Sequence, residues 1–475
     1  MADPIDDVGA AASVLEQVGA AAGPYLESLA GRPVLDHAAG KLLAGLGGPL
    51  SEHGEGSAGT VAKLLEIGTA AGTASSGPRF HHLVVGGVTP AAMAADWATT
   101  LLDQNAYGRV SSPFAAEVET VALGWLRELF GLPGEWGGVL VPSATFANLT
   151  GFGCATRWWG EKQGADTVRD GLSGLPRMPV LSSGYAHASA RKALQMLGHG
   201  REAVEVFAAG GTGELDPGGM RRRLDELNGK PAVLLGNAGE VNAGHFDPLG
   251  ELADLAEEYG AWLHVDGAFG LFAAVSPRTR QLVAGIERAD SVAADAHKWL
   301  NVPYESGFVF VRDPERLQPA FGMPGAPYLE DPGGGYAVRG PESSRRARAL
   351  PIWATLAAYG KEGYRLMVER HLDLAQRLAA AVDDAPELER LAEVPLCIVC
   401  FRANPPGIDD LDDFNRRLGA AIVDDGRVLA GTTGYAGRVA LRPAIVNWRT
   451  TPSDVDLFVQ VVRDLVKRLA RQHDQ

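Results

Sequence analysis

Short apolar runs alternate with helical stretches through the middle of the chain. The runs predict strands at residues 139–141, 203–207, 232–235, 261–265 and 307–311. Between several of them, as from Leu249 to Tyr259, apolar residues recur every three or four positions, which predicts helices. Strands that alternate with helices indicate an α/β fold, in which a mainly parallel central sheet carries helices on both faces. Ligands in such folds bind beyond the carboxyl ends of the strands.

The first 78 residues follow a different pattern. They are rich in Ala, Gly and Leu, and Leu15, Val18, Ala22 and Leu26 would share one face of a helix. This segment has too few large apolar residues to form a core of its own. We therefore predict that residues 1–78 form a helical arm that packs on a partner subunit.

The remainder divides into two predicted domains. Residues 79–344 contain the alternating strands and form the large domain. Its last part, residues 325–344, is rich in Gly and Pro, which predicts a mobile functional loop. Residues 345–475 mix helical and strand patterns, so we expect a small α+β C-terminal domain.

Composition narrows the possible partners and location. The chain has 475 residues, 46% of them hydrophobic, and 43 basic against 58 acidic residues give a net charge of −15. This charge argues against nucleic acid or an anionic membrane as the main partner. The acidic N-terminus is unlike a signal peptide, and no apolar run approaches the roughly 20 residues of a membrane span. Three cysteines suit a reducing compartment. Cys397 and Cys400 lie in a predicted buried strand, residues 394–402, so we interpret them as core residues. We expect a cytoplasmic protein without a metal site.

Two residues, 32 positions apart, point to one cofactor. Asp266 ends a predicted strand, and Lys298 follows His297 within an apolar context. Pyridoxal 5'-phosphate needs a lysine amine to form an imine and a carboxylate to keep its ring nitrogen protonated. Taken singly, Asp266 could be a helix cap or a loop acid, and Lys298 a solvated surface group. Together, in this order, they predict a site for this cofactor.

Two further segments suit the same ligand. Residues 141–148 follow a strand and open a helix, where hydroxyl groups and backbone N–H groups can bind a phosphate. The alternative there is a simple capping box. His187 opens another predicted helix; it could stack on the face of the cofactor ring opposite Ala268, or it could only cap that helix.

The order of these motifs resembles that of the group II pyridoxal-phosphate-dependent amino acid decarboxylases. This family includes the aromatic-L-amino-acid, glutamate and tyrosine decarboxylases. The similarity extends from about Gly77 to Asp456, most of the chain. It is carried by residues 112–119 with Trp125, and by residues 142–148, 186–192, 246–249, 264–266, 297–300 and 345–350.

The resemblance implies a fold type I, aspartate-aminotransferase-like homodimer with active sites shared between subunits. It assigns Lys298 to the imine and Asp266 to the ring nitrogen, with His187 and Ala268 on the two ring faces. It assigns the phosphate contacts to Ser143, Ala144, Thr145 and His297.

In the family, a tyrosine on a mobile loop returns a proton to the carbanion in the neighbouring subunit's site. The resemblance gives this role to Tyr336, nine residues before Arg345; the alternative is a loop tyrosine without a role. In the family, a threonine-rich stretch lies near the phenolic oxygen of the cofactor. Residues 236–244, which include the carboxylate of Glu240, replace that stretch here, so the resemblance gives only weak support for a contact with this oxygen. Asp295 stands where many relatives have Asn near the phosphate, and we expect it to point elsewhere.

The implied reaction is decarboxylation of an L-amino acid to its amine. Oxidative deamination to an aldehyde, carbon–carbon lysis and transamination on the same cofactor remain alternatives. A catalytically silent homologue is a further one. Residues 81–87 lack the aromatic and proline character of the aromatic amino acid enzymes, so the sequence leaves the substrate side chain open.

Overall fold

The computed structural model describes residues 3–324 and 335–473. Helices occur along the whole of this described part. In the first half they are α1 (Ala11–Ser28), α2 (Ser57–Ala71), α3 (Pro90–Leu102), α4 (Pro113–Phe130), α5 (Ala144–Lys162), α6 (Ala188–Met196) and α7 (Pro217–Leu227). In the second half they are α8 (Leu249–Tyr259), α9 (Ala296–Trp299), α10 (Leu317–Phe321), α11 (Ala349–Asp383), α12 (Leu411–Asp425) and α13 (Pro452–His473).

The strands form a large central sheet, a smaller C-terminal sheet and a short hairpin. The central strands are β1 (Gly137–Val141), β2 (Val180–Ser182), β3 (Val204–Val206), β6 (Val233–Asn237), β7 (Trp262–Asp266), β8 (Ser291–Asp295) and β9 (Gly307–Val311). The hairpin pairs β4 (Ala208–Ala209) with β5 (Glu214–Leu215). The C-terminal strands are β10 (Leu388–Arg390), β11 (Phe401–Ala403), β12 (Thr432–Tyr435) and β13 (Arg438–Leu441).

The central sheet has the order β1-β9-β8-β7-β6-β2-β3. Strand β9 is antiparallel to both of its neighbours, whereas β8, β7, β6, β2 and β3 run parallel to one another. Helix α5 packs on β1, β7, β8 and β9, and α8 packs on β6 and β7. These central strands are almost wholly buried, which explains their continuous apolar sequences. The predicted α/β class with a mainly parallel sheet is confirmed.

The parallel order of β6, β7 and β8 positions the chemistry. Asp266 ends β7 beside Asn237, which ends β6, and opposite Ala293 of β8. Lys298 lies three residues after the end of β8, in the single turn of α9. The carboxyl ends of neighbouring parallel strands meet at one sheet edge, so the acid and the amine come together there. The predicted strands do not include β2, which has only three residues, or β8, whose sequence Ser-Val-Ala-Ala-Asp has a single large apolar residue.

The C-terminal region forms an antiparallel sheet in the order β10-β11-β13-β12, with α12 and α13 packed against it. The predicted strand around Cys397 starts later, at Phe401. Cys397 and Cys400 are buried and unpaired, which agrees with core cysteines. Helix α11 contributes to both cores: its buried residues up to Leu372 belong to the large one, and those from Leu374 to the small one. The boundary at residue 345 stays a prediction.

A buried clamp joins the C-terminal region to the segment that contains Lys298. The Trp299 indole donates to Nδ1 of His371 at 2.8 Å, and Nε2 of His371 lies 2.9 Å from the carbonyl oxygen of Asn447. Asn301 donates to the carbonyl of Val446 at 3.1 Å. Burial lowers the pKa of His371 to about 3, so this link stays uncharged at neutral pH.

The N-terminal arm contains α1 and α2, and its packing on a partner subunit stays a prediction. Helix α1 has no buried residue, and it packs against α2. None of the helices in the described part of the chain combines the length and apolar character that crossing a bilayer requires.

Candidate active site

A cavity of about 220 Å³ opens beyond the carboxyl ends of β6, β7 and β8. Five residues that the sequence singled out line it: His187, Asp266, Ala268, His297 and Lys298. They come from three separate parts of the chain, so the fold has assembled them. An amine, a carboxylate and two imidazoles around one small cavity are the donor set that pyridoxal phosphate requires.

Asp266 is held as a hydrogen-bond acceptor. It is 6% exposed; its Oδ2 accepts from Nδ2 of Asn148 at 2.9 Å, and its Oδ1 accepts from the backbone N–H of Ala268 at 3.2 Å. These two donors fix the orientation of the buried carboxylate, which lines the cavity. A carboxylate in this place suits the ring nitrogen of the cofactor.

Lys298 is partly screened from solvent and has a charged neighbour. Its Nζ lies 3.3 Å from Oδ2 of Asp295 and 5.8 Å from the centre of the Phe269 ring. The short helix α9 presents the amine toward the cavity. The amine and the acid at residue 266 therefore share one site, as the sequence predicted.

The two histidines of the cavity are held in different ways. Nδ1 of His297 lies 3.0 Å from the Ser306 carbonyl oxygen, to which it donates, and its ring stacks on Tyr304 at 4.2 Å. Nδ1 of His187 accepts from the backbone N–H of Ser189 at 3.2 Å, so His187 caps α6 and also lines the cavity. Desolvation lowers the pKa of both rings, which favours neutral imidazoles.

Of the four predicted phosphate residues, His297 lines the cavity, whereas the other three lie at the N-terminus of α5 and outside the cavity wall. Ser143 is the N-cap of this helix, and Ala144 and Thr145 form its first turn. Gly307 lets β9 pass close to the N-terminus of α5, because a Cβ at this position would lie 2.6 Å from the carbonyl carbon of Ser143. The first N–H groups of a helix have no partner within it, so this end can hold an anion.

The expectation that Asp295 points away from the phosphate region is wrong. Its Oδ1 accepts the backbone N–H of Ala144, and its Oδ2 faces Lys298. The orphan N–H of a helix N-terminus attracts a carboxylate for the same reason that it attracts a phosphate. Asp295 therefore connects the N-terminus of α5 with the amine, and a bound phosphate would meet its negative charge.

Glu240 lines the cavity, but its carboxylate is engaged elsewhere. Oε2 accepts from the backbone N–H of Asn242 at 2.8 Å, and Oε1 accepts from that of Ala243. These bonds hold the turn that leads to His245. We therefore interpret Glu240 as a residue that shapes the cavity wall.

Arg442 is a site residue that the sequence analysis missed. It follows β13, lines the cavity and donates to the carbonyl of Val241 at 3.0 Å. It makes no salt bridge within residues 3–324 and 335–473, and desolvation lowers its pKa. A half-buried guanidinium without a carboxylate partner is suited to an anionic ligand. The sequence does contain one indication of this residue: Arg438 and Arg442 flank the apolar residues 439–441.

Tyr336 lies in a place that does not fit its predicted role. It is buried in a 3₁₀ turn, and its hydroxyl lies 2.9 Å from Oγ1 of Thr120 in its own subunit. It is not among the residues that line the cavity. Its ring is buried in the apolar core of its own subunit, and its hydroxyl is bonded to α4. The first half of the predicted mobile loop, residues 325–334, lies outside the described residues.

Comparison with known proteins identifies the family. The model described as the pyridoxal-dependent decarboxylase conserved domain matches residues 62–404. An aromatic-L-amino-acid decarboxylase of Bacillus atrophaeus is 27% identical over 405 residues, covering 83% of this chain and 82% of the relative. An L-2,4-diaminobutyrate decarboxylase of Rhizobium meliloti is 29% identical over 449 residues, covering 90% and 85%.

Solved structures show the same fold. The structure of Oryza sativa TDC with PLP and tryptamine superposes with a TM-score of 0.89 at 23% identity, covering 97% of this chain and 98% of the other. Mouse CSAD in its apo form gives a TM-score of 0.87 at 23% identity, covering 98% and 99%. The chain belongs to the pyridoxal-dependent decarboxylase family, and it is a pyridoxal-phosphate-dependent carboxy-lyase that converts an amino acid to an amine.

Proposed function

We propose that Lys298, Asp266, His187 and Arg442 carry out this decarboxylation on an L-amino acid. The observation that supports the proposal is that all four line one cavity at the edge formed by β6, β7 and β8. When bound, pyridoxal phosphate supplies an aldehyde that combines with amines and a protonated ring that accepts the electrons left as carbon dioxide departs.

Lys298 would hold the cofactor through its amine. Its Nζ lies on the cavity wall, where it could carry protons within the cavity. Oδ2 of Asp295, 3.3 Å from Nζ, restrains the amine on the side of the α5 N-terminus. Phe269 covers Nζ from another side and limits its contact with water.

Asp266 would face the ring nitrogen of the bound cofactor, and His187 and Ala268 would flank its ring. Because burial lowers the pKa of His187, a neutral imidazole would not oppose a positive charge on that ring. Ser143, Ala144, Thr145 and His297 would hold the phosphate. Electrostatic stabilisation by groups already in place accounts for much of the rate in such a site.

Arg442 binds the carboxylate of the substrate. It is the cavity cation without a salt-bridge partner in the described part of the chain, so a carboxylate would fill an open position. Leu83, Val84 and Val85 line the wall near it and give that side an apolar surface. This wall, and not the charged groups, is where we place the discrimination between side chains.

The proton that replaces carbon dioxide needs a donor other than Tyr336. Residues 325–344 contain two tyrosines, Tyr328 and Tyr336. Because the hydroxyl of Tyr336 is bonded to Thr120, we propose Tyr328, which lies outside the described residues, as the donor.

We expect Tyr328→Phe to lower amine release by about 10²-fold or more, as on loss of a general acid. Tyr336→Phe should cost about 1 kcal/mol of stability and leave turnover within a few fold, since it loses a hydrogen bond distant from the cavity. Steady-state amine release and thermal unfolding of both variants test this. The reverse pattern of activities would return the role to Tyr336.

We also propose that the protein is a homodimer in which the partner covers the arm. A groove of about 1110 Å³ between the arm and α3 exposes Val8, Leu15, Trp97 and Leu101. An apolar groove of this size indicates a protein–protein interface, because helix α1 beside it has no buried residue. A second copy is the occupant, because α1 lacks any core to pack on in its own subunit.

Leu101→Asp should therefore shift the protein toward monomers and reduce activity in proportion. Sedimentation equilibrium across a concentration series measures the shift. Leu366→Asp is the control, since Leu366 is 53% exposed on α11 and outside this groove. A wild-type protein that sediments as a monomer would exclude the dimer.

Product analysis tests the proposed reaction. The purified holoenzyme is incubated with aromatic, acidic and basic amino acids, and the amine, aldehyde and ammonia are measured with and without oxygen. Decarboxylation predicts equal amounts of amine and carbon dioxide, independent of oxygen. Oxygen-dependent aldehyde and ammonia would favour oxidative deamination, and the absence of any product would favour a silent homologue.

A further inference from the structure

A buried row of hydrogen bonds leads from Asp266 into the core between α5 and the sheet. Nδ2 of Asn148 donates to Oδ2 of Asp266 at 2.9 Å, and Nε2 of His264 lies 2.9 Å from Oδ1 of Asn148. Nδ1 of His264 lies 2.8 Å from Oγ of Ser291, which accepts from Nε1 of Trp262 at 3.0 Å. His264, Asn148 and Ser291 are fully buried, so no water competes for these bonds.

The two ends of the row together set the direction of its bonds. The indole N–H of Trp262 can only donate and the Asp266 carboxylate can only accept, so in a fully paired row the Ser291 hydroxyl accepts from Trp262 and gives its own hydrogen to Nδ1 of His264. His264 then carries its proton on Nε2 and donates to the amide oxygen of Asn148. That contact turns the amide NH₂ group of Asn148 toward Asp266.

Packing prevents the row from rearranging. A Cβ at position 151 would lie 2.5 Å from Cε1 of His264, so Gly151 of α5 leaves room for the ring and no more. The Phe152 ring packs on His264 with centroids 4.5 Å apart. Burial lowers the pKa of His264 to about 4, so the ring stays neutral and keeps one proton near neutral pH.

We propose that His264 is a positioning residue that acts through Asn148 to fix the Asp266 carboxylate as an acceptor for the ring nitrogen of the cofactor. The inference rests on the proposed role of Asp266. With one oxygen held by Asn148 and the other by the backbone of Ala268, the carboxylate cannot turn away or take up a proton from these neighbours. Its remaining acceptor capacity faces the cavity. His264 touches neither substrate nor cofactor in this scheme.

The test uses holoenzyme loaded with ¹⁵N-labelled pyridoxal phosphate. Asn148→Asp keeps the shape of residue 148 but replaces the donor with a carboxylate beside Asp266. We expect it to raise the Kd for pyridoxal phosphate at least tenfold and to move the ¹⁵N shift of the ring toward the unprotonated value. His264→Leu should act in the same direction. His264→Gln, which can still donate to Asn148 and accept from Ser291, should restore most of the wild-type shift.

Asn415→Asp is the matched control, because Asn415 is an equally buried amide that bonds to backbone groups of Ala403 and Leu411 in the C-terminal domain. It should lower stability without moving the ¹⁵N shift. If His264→Leu does not fold, Asn148→Asp and Ser291→Ala still decide the outcome.

Two failures can be told apart. A wild-type protein whose bound cofactor has an unprotonated ring nitrogen would contradict the proposed role of Asp266. The positioning role alone would be overturned by a different pair of results. The wild-type ring nitrogen would be protonated, and Asn148→Asp and His264→Leu would both keep the wild-type ¹⁵N shift and Kd.

Discussion

Lys298→Ala is expected to eliminate covalent attachment of pyridoxal phosphate and to lower decarboxylation by about 10³-fold or more, as on removal of a positioned group that transfers protons. The expectation follows from the position of Nζ on the wall of the cavity that also contains Asp266. The visible absorbance of the lysine-linked cofactor should be lost. Alanine suits α9, so the short helix should form as before.

Borohydride reduction followed by peptide mass analysis checks this directly. In the wild type, the pyridoxyl group should be found on the peptide that contains Lys298. Lys361→Ala is the control, since Lys361 is a surface residue paired with Glu128 at 2.7 Å. A pyridoxyl label retained in the Lys298→Ala protein, or unchanged turnover, would contradict the assignment.

Glu119→Ala is expected to lower the free energy of unfolding by about 3–5 kcal/mol, because it leaves a buried arginine without its counter-charge. Glu119 and Arg345 are each 1% exposed and form two bonds of 2.7 and 2.9 Å. Arg345 also donates to the carbonyls of Ala106 and Leu140. The pair thus joins α4, β1 and the chain that enters α11.

Glu117→Ala provides a matched comparison two residues away on α4. Glu117 pairs with Arg109 at 2.7 Å, but both side chains are more than half exposed, so the loss should be less than about 1 kcal/mol. Chemical denaturation of both variants measures the difference. Similar destabilisation by the two would refute the argument. Replacing Glu119 and Arg345 together by methionine should recover much of the loss, since no buried charge then remains.

The sequence predicted the large elements of the fold well, because buried parallel strands have continuous apolar sequences and their neighbouring helices have regular spacing. It did not predict β2, which has only three residues, or β8, in which Val292 is the single large apolar residue. The strand near Cys397 was placed too early, since apolar residues there are buried in irregular chain that precedes Phe401. Burial alone does not distinguish a strand from a packed loop.

Site residues close to a recognisable motif could be predicted, and those that depend on tertiary contacts could not. Lys298 and Asp266 were identified because their residue types and order are specific. Arg442 and His264 were missed as site residues, because only folding brings them to the cavity or to Asn148. The position of Asp295 was predicted wrongly for a related reason. Its attraction to the N-terminus of α5 depends on a tertiary contact with Ala144 that the sequence does not reveal.

The motifs at residues 112–119 and 345–350 gain a physical meaning from the ion pair they form. Their similarity to family members was noted without a reason, and neither holds a residue of the cavity wall. The ion pair between Glu119 and Arg345 indicates that these two segments stabilise the fold around the central sheet, at whose edge the cavity lies.

The clamp formed by Trp299, His371 and Asn447 has a consequence for how this enzyme can change over time. The reactive amine sits one residue from an indole that is tied, through a neutral ring, to the far end of the chain. Insertions, deletions or domain exchange near residue 447 would therefore disturb the reaction centre even though they lie outside it. New specificity is easier to acquire at the apolar wall around Leu83 to Val85, where side chains can vary without displacing the lysine.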